Sequence, residues 1–149
     1  MKQFVVTILL VLGMTQNVLA QGWGGQSYGT ATNYSRSQHA SASITIVNRS
    51  DYTLTVKIMK TGGRGLYSTV NIYPHSSNVV SFSSSDSYFT KTKATKGGLI
   101  SETLYRKSGA FSVKCDETGY TEGTMEFYVS SGAGGSGQGI SKSEFESDK

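Results

Sequence analysis

The residues of this chain that could carry out catalysis are few and far apart. A serine nucleophile needs a histidine and an acid beside it, and the chain has two histidines, His39 and His75. Ser136 has glycines on both sides, but no Gly-x-Ser-x-Gly elbow follows a strand and opens a helix. We therefore predict no catalytic residue, and a protein that is not an enzyme.

Acidic residues offer little more as a metal or catalytic centre. Asp116, Glu117 and Glu122 lie in one predicted loop and could gather around calcium, yet their spacing matches no EF-hand. Most carboxylates occupy turns or outward strand positions, where charged side chains are normally solvated, so a pair suited to glycoside hydrolysis is not expected. Two separated histidines do not form a zinc set. We predict no metal and no cofactor.

The one cysteine, Cys115, cannot form a disulfide within the chain. It shares the parity of Phe111 and Val113 in a predicted strand, which favours a buried, small apolar side chain. A disulfide between two chains or a reactive thiol is the alternative.

Tyrosines are the residues best suited to recognition. Several fall on loop or polar-facing positions, where the ring supplies contact area and the hydroxyl supplies a hydrogen bond. We predict a candidate binding surface made of Tyr120, Tyr128, Tyr67 and Arg64, for a protein or carbohydrate partner. The plainer interpretation is that sheet surfaces accept tyrosine readily, and it is favoured.

Basic residues are in mild excess, with a formal net charge of +4. Lys91, Lys93 and Lys96 form one local basic run. A solvated strand face explains this run better than an anion site, since nucleic-acid binders cluster more basic residues with stacking aromatics. We predict no nucleic-acid partner.

Two Asn-x-Ser sequons, at Asn33 and Asn48, could carry glycans if the host were eukaryotic. Such triplets arise often by chance in a serine-rich chain, so they weigh little in the assignment of function.

The N-terminus has the pattern of a secretory signal peptide over residues 1–20. Lys2 precedes an apolar run from Phe4 to Met14, which is eleven residues long. That run is shorter than the ~20 residues that span a bilayer. Cleavage near Ala20 would give a secreted or periplasmic protein whose mature chain has no membrane span. A retained anchor helix is the alternative.

The remaining chain divides by composition into a leader over residues 21–41, a core over 42–130 and a tail over 131–149. Leader and tail are rich in Gly and Ser and lack apolar periodicity, so we expect both to be flexible. The core alternates apolar and polar residues between turn signals, which predicts strands over residues 43–46, 52–58, 66–73, 79–82, 88–95, 99–106, 111–115 and 124–129. In these strands we expect the following residues to face inward: Leu66, Val70, Ile72, Met125, Phe127 and Val129. This pattern predicts an all-β, antiparallel β-sandwich of about seven to eight strands with immunoglobulin-like architecture.

These features favour an exported, non-enzymatic module that binds a partner or self-associates at the cell surface or in the periplasm. One alternative is a subunit of a surface fibre or appendage that assembles by strand addition. Another is a small secreted enzyme or enzyme inhibitor with its site in loops 61–65 and 116–122.

Overall fold

The computed structural model describes residues 3–13, 41–99, 101–130 and 137–149, with only the backbone described for residues 3–13 and 129–130. Ala20 and residues 21–40 lie outside this part of the chain. The described residues form eleven strands and one short helix, which confirms an all-β fold. The elements are β1 (Gln3–Gly13), β2 (Ala42–Asn48), β3 (Thr53–Lys60), β4 (Leu66–Ile72), β5 (Ser77–Phe82), β6 (Asp86–Lys96), β7 (Glu102–Lys107), β8 (Phe111–Val113), β9 (Cys115–Asp116), β10 (Gly119–Ser130), β11 (Gln138–Gly139) and α1 (Lys142–Glu146).

The strands form two sheets. The five-stranded sheet has the order β1-β10-β2-β5, and β9 also pairs with β10. The six-stranded sheet has the order β11-β7-β6-β3-β4, and β8 also pairs with β6. All described pairs are antiparallel except β10 with β2, which is parallel. The seven- to eight-stranded, wholly antiparallel immunoglobulin-like arrangement is therefore not confirmed.

One hydrophobic core joins the two sheets, as in a β-sandwich. Leu54, Val56 and Ile58 alternate with more exposed residues along β3 and are buried, as the period of two predicts. They belong to the same buried cluster as Met125 and Phe127 of β10, which were also predicted to face inward. The predicted inward orientation of Val129 concerns a side chain outside the described set.

A β-bulge corrects the predicted orientation of β4. The pairing with β3 shifts register between Ile58 and Met59, so that Ile58 lies opposite Ser68 while Met59 lies opposite Leu66. The extra residue, Tyr67, reverses the parity of the strand at this point. Leu66, predicted to face inward, is consequently 41% exposed, and Tyr67 packs against the core instead.

Asn48 at the end of β2 is fully buried and uses its whole amide in hydrogen bonds. Its Nδ2 donates to the carbonyl oxygens of Tyr52, Ile72 and Tyr73 at 2.6, 3.3 and 3.0 Å. Its Oδ1 accepts from both the backbone N–H and the hydroxyl of Ser50. The amide thus joins the β2–β3 turn to the end of β4, and the folded chain cannot carry a glycan at this sequon.

The predicted absence of structure over residues 131–149 is wrong for residues 137–149. β11 pairs with β7, and α1 is capped by Ser141, whose Oγ accepts a hydrogen bond from the Glu144 N–H at 3.1 Å. Phe145 is only 5% exposed. A capped turn and one buried aromatic ring supply the stabilisation that composition alone did not reveal.

Candidate functional site

Among the described strands, the longest pairing is the one between β1 and β10 at the outer edge of the five-stranded sheet. β1 pairs antiparallel with β10 along all eleven of its residues, from Gln3 opposite Ser130 to Gly13 opposite Tyr120. β2 lies on the other side of β10. β1 itself comes from the segment predicted to be a signal peptide. A chain that lacked this segment would expose one row of β10 backbone N–H and C=O groups.

The register of β1 matches the alternation of β10. Met125 and Phe127 are fully buried, and Ile8 and Val6 are the residues opposite them. Directly opposed residues share one face of a sheet. The β1 residues that share the parity of Val6 and Ile8 are all large and apolar: Phe4, Val6, Ile8, Leu10 and Leu12. The edge of β10 is therefore matched to a strand that is apolar at every position of this parity, and Val5, Leu9 and Val11 are apolar on the other parity as well.

Two of the predicted recognition tyrosines, Tyr120 and Tyr128, lie on β10. Both are half-buried, and they are separated by eight positions, which is roughly 26 Å of extended chain. Tyr120 packs against the core and lies opposite Gly13, whereas Tyr128 lies opposite Val5. They mark the two ends of the β1–β10 ladder rather than one compact patch.

Tyr67 lies between the two sheets and has a packing role. Its ring stacks on Phe82 with a centroid distance of 5.1 Å and meets Tyr88 edge-on at 5.2 Å. Its hydroxyl donates to the Ser81 carbonyl at 2.9 Å. The side chain thereby links β4 to β5, the outer strands of the two sheets on this side.

Arg64 is likewise occupied by contacts within the chain. Its guanidinium donates to both carboxylate oxygens of Asp86, with Nη1 2.9 Å from Oδ2, and its Nε donates to the Thr61 carbonyl at 3.0 Å. The hydrogen bond from Arg64 is the main reason why the pKa of Asp86 is lowered. A ligand that used Arg64 would have to compete with this bidentate pair. The four predicted surface residues thus do not form one site.

Loops 61–65 and 116–122, which the alternative enzyme site would use, both lie near the start of β6. Arg64 donates to the Asp86 carboxylate, and the Cys115 N–H donates to the hydroxyl of the preceding Ser85. His75 does not join them. His75 Nε2 lies 2.8 Å from Asp51 Oδ1, and this hydrogen bond lowers the pKa of Asp51, followed by the charge of Lys96. The His75–Asp51 pair lies near the C-terminal end of β2, where Asn48 is opposite Phe127. The 116–122 loop lies near the N-terminal end of β2, where Ser43 is opposite Glu122.

The 116–122 loop has a local structural explanation. The Asp116 carboxylate accepts hydrogen bonds from the Thr118 hydroxyl and N–H, at 2.6 and 2.8 Å, and these bonds lower its pKa. They form the turn between β9 and β10. Within the described ranges, no group of three or more His, Cys, Asp or Glu side chains is arranged to hold a metal ion.

A row of lysines crosses the outer face of the six-stranded sheet. Lys57 of β3 lies opposite Lys91 of β6, and Lys91 lies opposite Lys107 of β7. Lys93, two residues further along β6, lies on the same face as Lys91. Like charges at directly opposed positions repel. Lys57 and Lys107 were not identified from the sequence, because only the pairing of distant strands places them beside Lys91.

The C-terminal segment, residues 137–149, covers this lysine row. The Lys91 ammonium donates to the carbonyl oxygens of Glu144, Ser147 and Lys149 at 2.8, 2.8 and 3.2 Å. Burial lowers the pKa of Lys91, which is only 2% exposed, so the predicted solvated strand face is wrong at this position. Three carbonyl groups thus satisfy a buried ammonium that would otherwise be strongly unfavourable.

The other lysines contact side chains of the same segment. Asp148 Oδ1 lies 2.6 Å from Lys57 Nζ. The Phe145 ring centroid lies 5.2 Å from the ammonium of Lys57 and 5.7 Å from that of Lys93. Carboxylate, carbonyl and aromatic groups together offset the repulsion within the row.

Cys115 is half-buried in β9 and packs against the core. Its backbone N–H donates to Ser85 Oγ at 2.7 Å. The sequence predicted a more deeply buried side chain.

No family model, no curated protein and no solved structure matches this chain. Among the helices of the described residues, none is long and apolar enough to cross a membrane. Function must therefore be inferred from the geometry of the two sheets and of the segments that complete them.

Proposed function

We propose that this protein is an exported, non-enzymatic β-sandwich module that functions in binding or assembly at the cell surface or in the periplasm. The observation that supports the proposal is the pairing of β1 with β10. The segment that fills the sheet edge is the one whose sequence predicts removal on export. Processing after Ala20 would expose the β10 edge at the place where the protein acts.

An exposed β10 edge is well suited to association. Unpaired N–H and C=O groups of an edge strand can pair with another extended chain, and natural proteins often discourage this with lysine or proline. β10 contains neither residue, and its buried Met125 and Phe127 lie directly opposite positions of the missing strand. A partner strand would gain both a backbone ladder and apolar burial.

Processing and location test the first half of the proposal. The full chain should be expressed in a secreting host and recovered by cell fractionation, and its intact mass measured. We expect a processed chain that starts at Gln21 outside the cytosol. The variant Ala20→Arg, which places a large charged side chain at the cleavage position, should remain unprocessed. A cytosolic chain of full mass would contradict export.

Association tests the second half. Light scattering on the exported chain should show either a concentration-dependent oligomer or a complex with a co-exported partner. The unprocessed Ala20→Arg chain, in which β1 fills the edge, should be monomeric. A processed chain that stays monomeric and without a partner at all concentrations would contradict a role in binding or assembly.

A surface fibre or appendage is the specific form of assembly that the long ladder favours. The eleven paired residues of β1 and β10 form the longest strand pairing in the described part of the molecule, which suits a persistent subunit contact. Electron microscopy of the exported chain distinguishes this form, since linear polymers would support it and discrete complexes would contradict it.

A further inference from the structure

We propose that the β10 edge accepts, antiparallel and from a separate exported polypeptide, an extended segment with large apolar side chains at alternate positions. This inference rests on the proposed function, since the edge is open only after residues 1–20 are removed. It adds the chemistry, direction and register of the partner.

The required pattern follows from the register of β1. A partner residue that lies opposite a buried residue of β10, such as Met125 or Phe127, shares the core-facing side of the sheet and should therefore be apolar. β1 carries an apolar residue at all five positions of this parity, from Phe4 to Leu12, whereas the other parity also holds Gln3, Thr7 and Gly13. A partner that is polar on the other parity would have one favoured register, because a shift by one residue would place its polar groups toward the core.

The residues on the outward face of β10 indicate which charge the partner strand should carry. Glu126 and Glu122 occupy outward positions of β10, opposite Thr7 and Val11. Arg49 already pairs with Glu126, with Nη2 3.0 Å from Oε1. Glu122 is exposed at the other end of the edge. We therefore expect a partner with a basic residue opposite Glu122, where opposite charges on neighbouring strands attract.

The remaining sequence of this chain lacks a segment with this pattern. In residues 21–40 the large apolar or aromatic residues are Trp23, Tyr28 and Tyr34, at spacings of five and six. Residues 131–136 contain only Gly, Ser and Ala. β2 to β11 are already paired within the two sheets. The outer strands β4, β5 and β11 of a second copy do not carry large apolar residues at five alternate positions in succession, so a separate polypeptide fits better.

The test uses the full chain with a protease recognition sequence inserted directly after Ala20, so that β1 can be cut free after folding. Two labelled peptides based on residues 3–13 then compete for the edge. The in-phase peptide carries Val5→Thr, Leu9→Lys and Val11→Lys. The out-of-phase control carries Val6→Thr, Ile8→Lys and Leu10→Lys. Both keep five apolar residues and gain two lysines.

We expect the in-phase peptide to displace the 1–20 fragment and to bind at least about tenfold more tightly than the control, because it alone keeps every apolar residue on the core-facing parity. Glu122→Lys should weaken its binding, whereas Glu117→Lys in the neighbouring turn should not. Equal binding of the two peptides, or no binding to the cut chain, would overturn the proposal. A symmetric dimer that excludes the peptide would also overturn it, by making a second copy the occupant.

Failure of this experiment is distinguishable from failure of the proposed function. Processing and location are measured on the untreated chain in the secreting host. The peptide competition is measured on the cut chain, and its result does not depend on whether the host removes residues 1–20.

Discussion

The two ends of the chain complete the two sheets in different ways. Residues 3–13 extend the five-stranded sheet through a backbone ladder on β10, and they are apolar at every position on the parity of the residues opposite Met125 and Phe127. Residues 137–149 contact the six-stranded sheet through a short backbone pairing of β11 with β7 and mainly through individual contacts to its side chains: one buried ring, ion pairs to Lys57 and Lys107, and three carbonyl groups around Lys91. A backbone ladder with an alternating pattern can be supplied by another chain. A set of individual side-chain contacts is much harder to replace.

This difference separates an exchangeable element from a fixed one. The N-terminal strand depends on a pattern that many sequences share, so it can be removed and substituted. The C-terminal segment depends on the particular lysine row beneath it. We therefore expect the C-terminal segment to stay docked when the N-terminal strand is lost.

The largest effect is expected at Phe145, the anchor of the C-terminal segment. Phe145→Ala removes the ring that packs on Tyr105 at 5.5 Å and lies near two ammonium groups. We expect a loss of about 3 kcal/mol in the free energy of unfolding, as for other buried rings. Urea denaturation measures it, and Phe145→Leu, which keeps apolar volume, should lose less. An unchanged stability would show that the segment contributes little.

A smaller effect is expected in the N-terminal strand, at adjacent positions of opposite parity. In the full chain, Ile8→Lys places a charge opposite buried Met125 and should weaken strand docking by about 2 kcal/mol. Leu9→Lys, opposite Thr124, should have little effect. Hydrogen exchange of the β10 amides measures both. Equal effects of the two substitutions would contradict the register.

A core substitution provides a reference for global stability, because it should change the docking of both ends of the chain to the same extent. The Thr92 hydroxyl is buried with no hydrogen-bond partner among the described residues, which is unfavourable. Thr92→Val should raise the free energy of unfolding by about 1 kcal/mol, measured by urea denaturation. Thr69→Val at an exposed position of β4 should change it less. A destabilised Thr92→Val protein would show that the hydroxyl is satisfied in solution.

Acid should weaken the contact between the 61–65 loop and the start of β6, where Arg64 pairs with Asp86. The hydrogen bond from Arg64 lowers the pKa of Asp86 in the folded protein. The ionised carboxylate therefore stabilises the fold above the unfolded-state pKa, which is near 3.9, and this stabilisation is lost as pH falls through the lower folded-state pKa. Stability should therefore fall as pH drops below about 4. Asp86→Asn should be less stable at neutral pH and flatter in acid, by denaturation across pH. The exposed Glu117→Gln serves as control, and a profile unchanged by Asp86→Asn would contradict this contribution.

Much of the fold could be predicted because burial follows the period of two. Leu54, Val56 and Ile58 show their faces in the sequence itself. The orientation of Leu66 could not be predicted, because the bulge that turns it outward depends on pairing with β3. The parallel pairing of β2 with β10 is likewise a property of distant strands.

The candidate sites were harder to predict than the fold. Lys57, Lys91 and Lys107 become one row only through the register of three strands. One signal for the C-terminal helix was present, since Ser141 and Glu144 have the spacing of a capping box, but five helical residues show no periodicity. The apolar run from Phe4 to Met14 predicts a signal peptide equally well whether or not it can also form a strand.

Hydrogen exchange along Tyr120–Ser130 tests most directly whether the edge of β10 is an acceptor for a partner strand. The full chain should be compared with the chain cut after Ala20 and separated from the freed fragment, with the amides of β2 as internal reference. Since alternate amides point to opposite sides of a strand, about half of the β10 amides should exchange faster in the cut chain. They should slow again when the in-phase peptide is added, while β2 stays protected throughout. Equally slow exchange of β10 in both chains, without any partner, would contradict an open acceptor edge.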